Sequence, residues 1–168
     1  EYPAGSLIAS LVGFVNQEGD GAAGIESSLN SIIKGQDGKY LYANGYAAEI
    51  PGTQQQLVQG KAGATVRLTI DRDVQYVAQN AIAKAVKSSR AASGTVIVMD
   101  PKTGQILAHA TAPTFDPNKP VKLSDVHNSS VQDVYEPGST GKVMTLAAAI
   151  EEKLVSPTTV FSVPYKLK

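Results

Sequence analysis

The chain has no cysteine and no tryptophan, only two histidines, and no excess of either charge. Each absence removes a class of chemistry. Without cysteine there can be no disulfide, no thiolate metal site and no cysteine nucleophile, although the compartment stays open because many exported proteins also lack cysteine. His109 and His127 are too few for a histidine-rich zinc site, and they supply a Ser-His-Asp triad poorly. Fifteen basic residues cancel fifteen acidic ones with no run of like charge, so neither nucleic acid nor a strongly anionic membrane surface is an expected partner. No stretch approaches the ~20 consecutive apolar residues that a membrane-spanning helix requires. The chain opens Glu1-Tyr2-Pro3, without a start methionine or a signal sequence, and a soluble segment is expected.

What is present suits a globular chain: 168 residues, 42% of them hydrophobic, enough to bury a core as one domain or two small ones. Leu7, Ile8, Leu11 and Val12 fall at helical spacing before a break at Gly19-Asp20-Gly21. Ile25, Leu29, Ile32 and Ile33 predict a second short helix that stops at Gly35. Lys39 to Ile50 alternates around Asn44-Gly45, a pair suited to a tight hairpin turn. Gln54-Gln55-Gln56, followed by Gly60 and Gly63, reads as a flexible connection, and a module boundary is expected there, with residues 1–62 before it and 63–168 after it.

Beyond that boundary, Val66 to Ile70 alternates like a strand and ends at Asp71, a good residue for capping a helix. The following helix carries an apolar stripe of Val74, Val77, Ala78, Ala81, Ile82, Ala85 and Val86. Asp73 lies near its start and Lys84, Lys87 and Arg90 near its end, as the helix dipole favours. Thr95 to Met99 and Gln105 to Ala108 flank Asp100-Pro101-Lys102-Thr103-Gly104, which predicts two antiparallel strands, central in their sheet, joined by a tight turn. Pro113, Pro117 and Pro120 then punctuate a long irregular segment. From Ser139 to Glu152 the residues are apolar on nearly every side, which predicts a helix buried inside a larger domain. The fold class expected is α+β, an antiparallel sheet with helices.

Ser139-Thr140-Gly141-Lys142 places a hydroxyl and an amine three residues apart at the first turn of that helix, on one face. A serine hydroxyl needs a base to attack an amide, and a desolvated lysine can lose its proton and act as one. Backbone N–H groups at the helix start would face a developing oxyanion. The spacing alone leaves two readings balanced, this nucleophile and base or a terminal serine beside a solvated lysine. The same spacing recurs at Ser31 and Lys34, where the end of an amphipathic helix favours a structural role. A phosphate-binding loop fails, because Glu136 and Val143 stand where it needs glycine and Ser or Thr. Lys102-Thr103-Gly104 and Ser28-Leu29-Asn30 spell further active-site elements of such serine enzymes, but both precede Ser139 and read better as a turn and a helix. Asp116, Asp125 and His127 read as a solvated loop rather than metal ligands, and no cofactor is expected.

With these segments in place, the sequence resembles the class B penicillin-binding proteins, most closely those of cell division in actinobacteria. The matching residues run in order: Tyr2-Pro3 with Gly5-Ser6-Leu7, Gly13-Phe14-Val15, Gly24-Ile25-Glu26, and Leu68-Thr69-Ile70-Asp71 with Gln75. They continue through Asp100-Pro101 with Thr103-Gly104, Ile106-Leu107-Ala108, Pro113 with Phe115-Asp116-Pro117-Asn118, and Tyr135-Glu136-Pro137-Gly138-Ser139-Thr140 with Lys142. The resemblance implies that residues 1–62 are part of a non-catalytic pedestal and that 63–168 open a transpeptidase domain of the kind shared with serine β-lactamases.

It further implies Ser139 as nucleophile and Lys142 as general base, D-alanyl-D-alanine stem peptides of peptidoglycan as substrate, and acylation of the same serine by β-lactams. The implied location is the extracytoplasmic face of the bacterial cytoplasmic membrane, with an anchor outside this segment and division proteins as partners. Only 26 residues follow Lys142, so the family's later Ser-x-Asn and Lys-Thr-Gly segments are expected to be missing and the segment alone to be inactive, with exposed sheet edges. The competing reading is a non-catalytic scaffold of the division or elongation machinery.

Overall fold

The computed structural model describes residues 1–46, 48–122, 126–163 and 165. The chain forms two compact units, Glu1–Asp133 and Val134–Lys168. The first is α+β. Its center is α4 (Arg72–Ser89) packed on a two-stranded antiparallel sheet of β5 (Gly94–Met99) and β6 (Ile106–Ala112).

Asp71 caps α4 as expected, its carboxylate accepting hydrogen bonds from the backbone N–H groups of Asp73 and Val74 at 2.9 and 3.0 Å. The core beneath the helix joins Ala78 to Ala108 and Ala110, with Val74, Ile82, Val96 and Val98 around them. Small side chains dominate it because helix and sheet approach closely. A Cβ added at Gly94 would lie 2.7 Å from Ile82 and 2.8 Å from Val86, so the first residue of β5 has no room for a side chain. The buried face of α4 is narrower than its apolar stripe: Val77, Ala81 and Ala85 are exposed.

The β5–β6 turn matches expectation, with Asp100 accepting from the Lys102 N–H and the Thr103 hydroxyl. These bonds hold the Asp100 carboxyl below its ordinary pKa, and Lys102 stays exposed. Lys102-Thr103-Gly104 is a structural turn.

Four other expectations change. Val66 to Ile70 forms no strand; it is tied to the start of β6 through the Thr69 hydroxyl on the Ile106 carbonyl and the Asp71 N–H on that of Leu107. Asn44-Gly45 is not the turn but a short strand, β2, paired with β3 (Ala48–Glu49), and the reversal begins at Tyr46 with φ +49°. Gln55 and Gln56 belong to a strand, β4 (Gln55–Val58), which pairs with β1 (Lys39–Leu41). Both strands are exposed, so polar glutamines cost nothing while the backbone makes its ladder. The strands β5 and β6 are not central either: among the described residues their sheet has two strands, and Ile97 and Met99 are exposed.

The N-terminal helices are short. After a 3-10 turn (Gly5–Leu7) come α1 (Ala9–Val12), α2 (Gly24–Ser28) and α3 (Asn30–Ile33), the last two separated at Leu29, whose φ of −110° leaves the helical range. Ser31 is exposed on α3, and Lys34 pairs with Asp20.

Residues 2–15 lie along the central layer, held by polar bonds. Gln75, 1% exposed, donates to the carbonyls of Leu7 (2.8 Å) and His109 (3.0 Å) and accepts from the His109 N–H (2.7 Å). One amide therefore ties α4, β6 and the N-terminal segment together. Ser10 meets the Thr111 hydroxyl at 2.6 Å. Asn118 brackets Tyr2, accepting from its N–H at 2.9 Å and donating to its carbonyl at 2.8 Å, and Phe14 meets Phe115 edge to face at 6.1 Å. The proline-punctuated segment is thus pinned at Phe115 and Asn118.

A second chain of bonds anchors α5 (Ser129–Gln132). His109 Nε2 bonds to the Ser130 hydroxyl, which donates to Asn128 Oδ1, and Asn128 donates to the Ser10 carbonyl at 3.1 Å. Partial burial lowers the His109 pKa below 6.5.

Two outcomes are expected. Gln75→Leu keeps the volume but takes the partner from three part-buried backbone groups, so denaturant unfolding should register a loss of about 3 kcal/mol. A loss under about 1 kcal/mol would mean the amide is not the tie described. For His109, whose folded pKa is lowered, the unfolded chain binds more protons between that value and 6.5. Its contribution is complete above 6.5 and is lost as the pH falls through 6.5 toward the folded value. Urea midpoints measured across this window should fall on acidification, and His109→Asn should flatten that part of the profile.

Candidate active site

The second unit carries the Ser139–Lys142 pair. A 3-10 turn (Gly138–Gly141) runs directly into α6 (Lys142–Glu151). The Thr140 N–H bonds to the Pro137 carbonyl at 3.1 Å, and the Lys142 N–H is shared between the carbonyls of Ser139 and Thr140. Gly141 and Lys142 have almost identical dihedrals, φ −65° with ψ −18° and −22°, so the coil is unbroken where one helix type becomes the other. In the tighter helix, residues three apart eclipse one another, which puts Ser139 and Lys142 on one face a single turn apart. Among the described residues no hydrogen bond joins their side chains, and both are exposed.

The helix itself corrects an expectation. It is apolar as read, but it is not buried: Val143 is 68% and Met144 71% exposed, with Leu146 and Ile150 also in solvent. The reason is local. Among the described residues, the unit Val134–Lys168 contains no second layer against which a helix could lie. Past Glu151 the chain turns at Lys153, φ +57°, and closes with the Ser156 N–H on the Thr159 hydroxyl at 2.8 Å.

Gly138 was legible only as a glycine ahead of the serine; the structure adds its φ of +55°. Asp116 accepts from the Asn118 N–H and pairs with Lys119 at 3.3 Å, and His127 pairs with Asp133. Asp125 lies outside the described residues. A cleft of about 570 Å³ in the first unit is lined by Ser10, Phe115, His127 and Asn128 among others.

Comparison with known proteins covers both units. Residues 94–168 match the family described as penicillin binding protein transpeptidase domain. Penicillin-binding protein PbpB of Mycolicibacterium smegmatis is 40% identical over 168 residues, an alignment that takes in 98% of this chain and 26% of that protein. Peptidoglycan D,D-transpeptidase FtsI of Buchnera aphidicola is 32% identical over 166 residues, 96% of this chain and 28% of that one. The apo crystal structure of penicillin binding protein 3 from Mycobacterium tuberculosis superposes with a TM-score of 0.80 at 34% identity, over 98% of this chain and 34% of that one; the same protein has also been solved with aztreonam and with ampicillin. The chain thus spans about a quarter of the length of these curated relatives. With that order of segments matched from end to end, the chain belongs to the penicillin-binding proteins, and its residues 94–168 to their transpeptidase domain.

Proposed function

We propose that the protein is a peptidoglycan D,D-transpeptidase in which Ser139 is the nucleophile and Lys142 its general base. The observation that carries this reading is the coil from Ser139 into α6, which holds the two residues one turn apart inside the stretch matching the transpeptidase family. The division of labor along the chain follows the same reading: residues 1–62 serve as part of a pedestal, and 63–168 open the catalytic domain.

The chemistry proceeds through an acyl-enzyme. Ser139 Oγ attacks the carbonyl carbon of the penultimate D-alanine of a stem peptide while the neutral Lys142 amine takes the hydroxyl proton. The peptide C–N bond breaks, and D-alanine leaves with that proton on its nitrogen. An amine from a neighboring stem then attacks the ester, forming the cross-link and returning a proton to Ser139. A β-lactam acylates the same oxygen, its ring C–N bond opening in place of the peptide bond.

For Lys142 to be neutral it must be desolvated, since water favors the ammonium. The exposed apolar side chains of Val143, Met144 and Leu146 next to it are the surface that further protein would cover, excluding water from the amine at the same time. The protein works at the extracytoplasmic face of the cytoplasmic membrane, where its substrate lies, anchored by a segment outside this one and accompanied by division proteins.

The test uses the full-length protein. A fluorescent penicillin followed by peptide mapping should label Ser139, and Ser139→Ala should abolish both label and cross-linking. Lys142→Ala should keep the serine but slow acylation by roughly 10²–10⁴-fold, as loss of a general base does. Label on another residue, or unchanged cross-linking in Ser139→Ala as a non-catalytic scaffold would give, overturns the assignment.

A further inference from the structure

Between Pro137 and Ser139 the backbone changes hand for one residue. Pro137 lies in the right-handed region at φ −69° and ψ −20°, whereas Gly138 has φ +55°. The bond from the Thr140 N–H to the Pro137 carbonyl closes a four-residue turn with Gly138 and Ser139 as its central pair. Ser139 is not among the residues with positive φ. A turn that is positive at its first central position and negative at its second has the signs of type II′, which takes glycine at the first.

The requirement is conformational and not steric. A Cβ built on Gly138 meets nothing within 4 Å, so an alanine would fit in space and be opposed only by its own backbone. Relaxing that opposition means rotating φ out of the left-handed region. Ser139 and Lys142 both lie downstream on the same coil, so the rotation leaves their mutual geometry intact. It swings the pair together relative to the chain that enters the turn.

We propose that Gly138 is a positioning residue: its left-handed conformation sets the direction in which the Ser139–Lys142 pair is presented to the acyl donor. The inference rests on Ser139 being the nucleophile and concerns its aim, not its activation.

The experiment follows acylation of the full-length protein by a fluorescent penicillin, separating the affinity of the initial complex from the first-order acylation constant. Gly138→Ala should lower the acylation constant about tenfold, the factor that ~1.4 kcal/mol represents and within the usual cost of left-handed backbone. Gly138→Asn, whose side chain tolerates that backbone, should stay within about threefold of the parent. The pH dependence of acylation should keep its shape in both variants, because the serine and its base remain paired. An alanine variant equal to the parent, an asparagine variant no better than alanine, or a shifted pH profile each overturns the proposal. A parent that takes no label at Ser139 instead removes the assignment of the nucleophile, so the two failures are distinguishable.

Discussion

One buried amide holds the first unit together. Gln75 sits at the center of the face that α4 turns toward the sheet, where a hydrophobic residue would be the ordinary choice. Its side chain instead answers three backbone groups, two on β6 and one on the N-terminal segment. A buried polar group is tolerable only when its hydrogen bonds are made, and here satisfaction of the side chain requires both neighbors in place. The hydroxyl contact of Ser10 with Thr111 and the bracket of Asn118 around Tyr2 extend the same logic along the segment. The alanine-rich core supplies close approach, and the polar bonds supply register.

The second unit is built on the opposite principle. Its helix is rich in apolar residues and presents them to water, while the polar pair at its start is organized by backbone coiling alone. Ser139 and Lys142 are placed by helix geometry; their chemical character depends on how much water the surroundings remove. Position and activation are separable here. The first is a property of ten or so consecutive residues, and the second is a property of whatever covers the apolar surface beside them.

Local signals were readable in the sequence because they are settled by near neighbors. The Asp71 cap, the start of α4 just after it, the β5–β6 hairpin with its Asp100 turn, and the coil from Ser139 onward each involve residues within a few positions of one another. What escaped was nonlocal. Lys39–Leu41 finds its partner beyond an intervening hairpin, which turned an apparent linker of glutamines into β4. Val66 to Ile70 alternates like a strand but is offered no ladder, and the role of Gln75 depends on a carbonyl 68 positions away. Helix α6 shows the same limit in reverse, because hydrophobic composition states a preference for burial and only a partner can grant it. Of the candidate site, the pairing on one face could be read from spacing, while the reversed hand at Gly138 required coordinates.

The stitching of residues 2–15 onto α4 and β6 bears on how such proteins can be recombined. Composition predicts a boundary near residue 62, yet the carbonyl that satisfies Gln75 comes from Leu7, far on the other side of that position. A chimera that exchanged everything before that position would have to bring along an N-terminal run whose main chain follows the same path. Inheritance across that position is constrained by the opening residues, whose main chain at Leu7 and side chains at Ser10 and Phe14 all have partners after it.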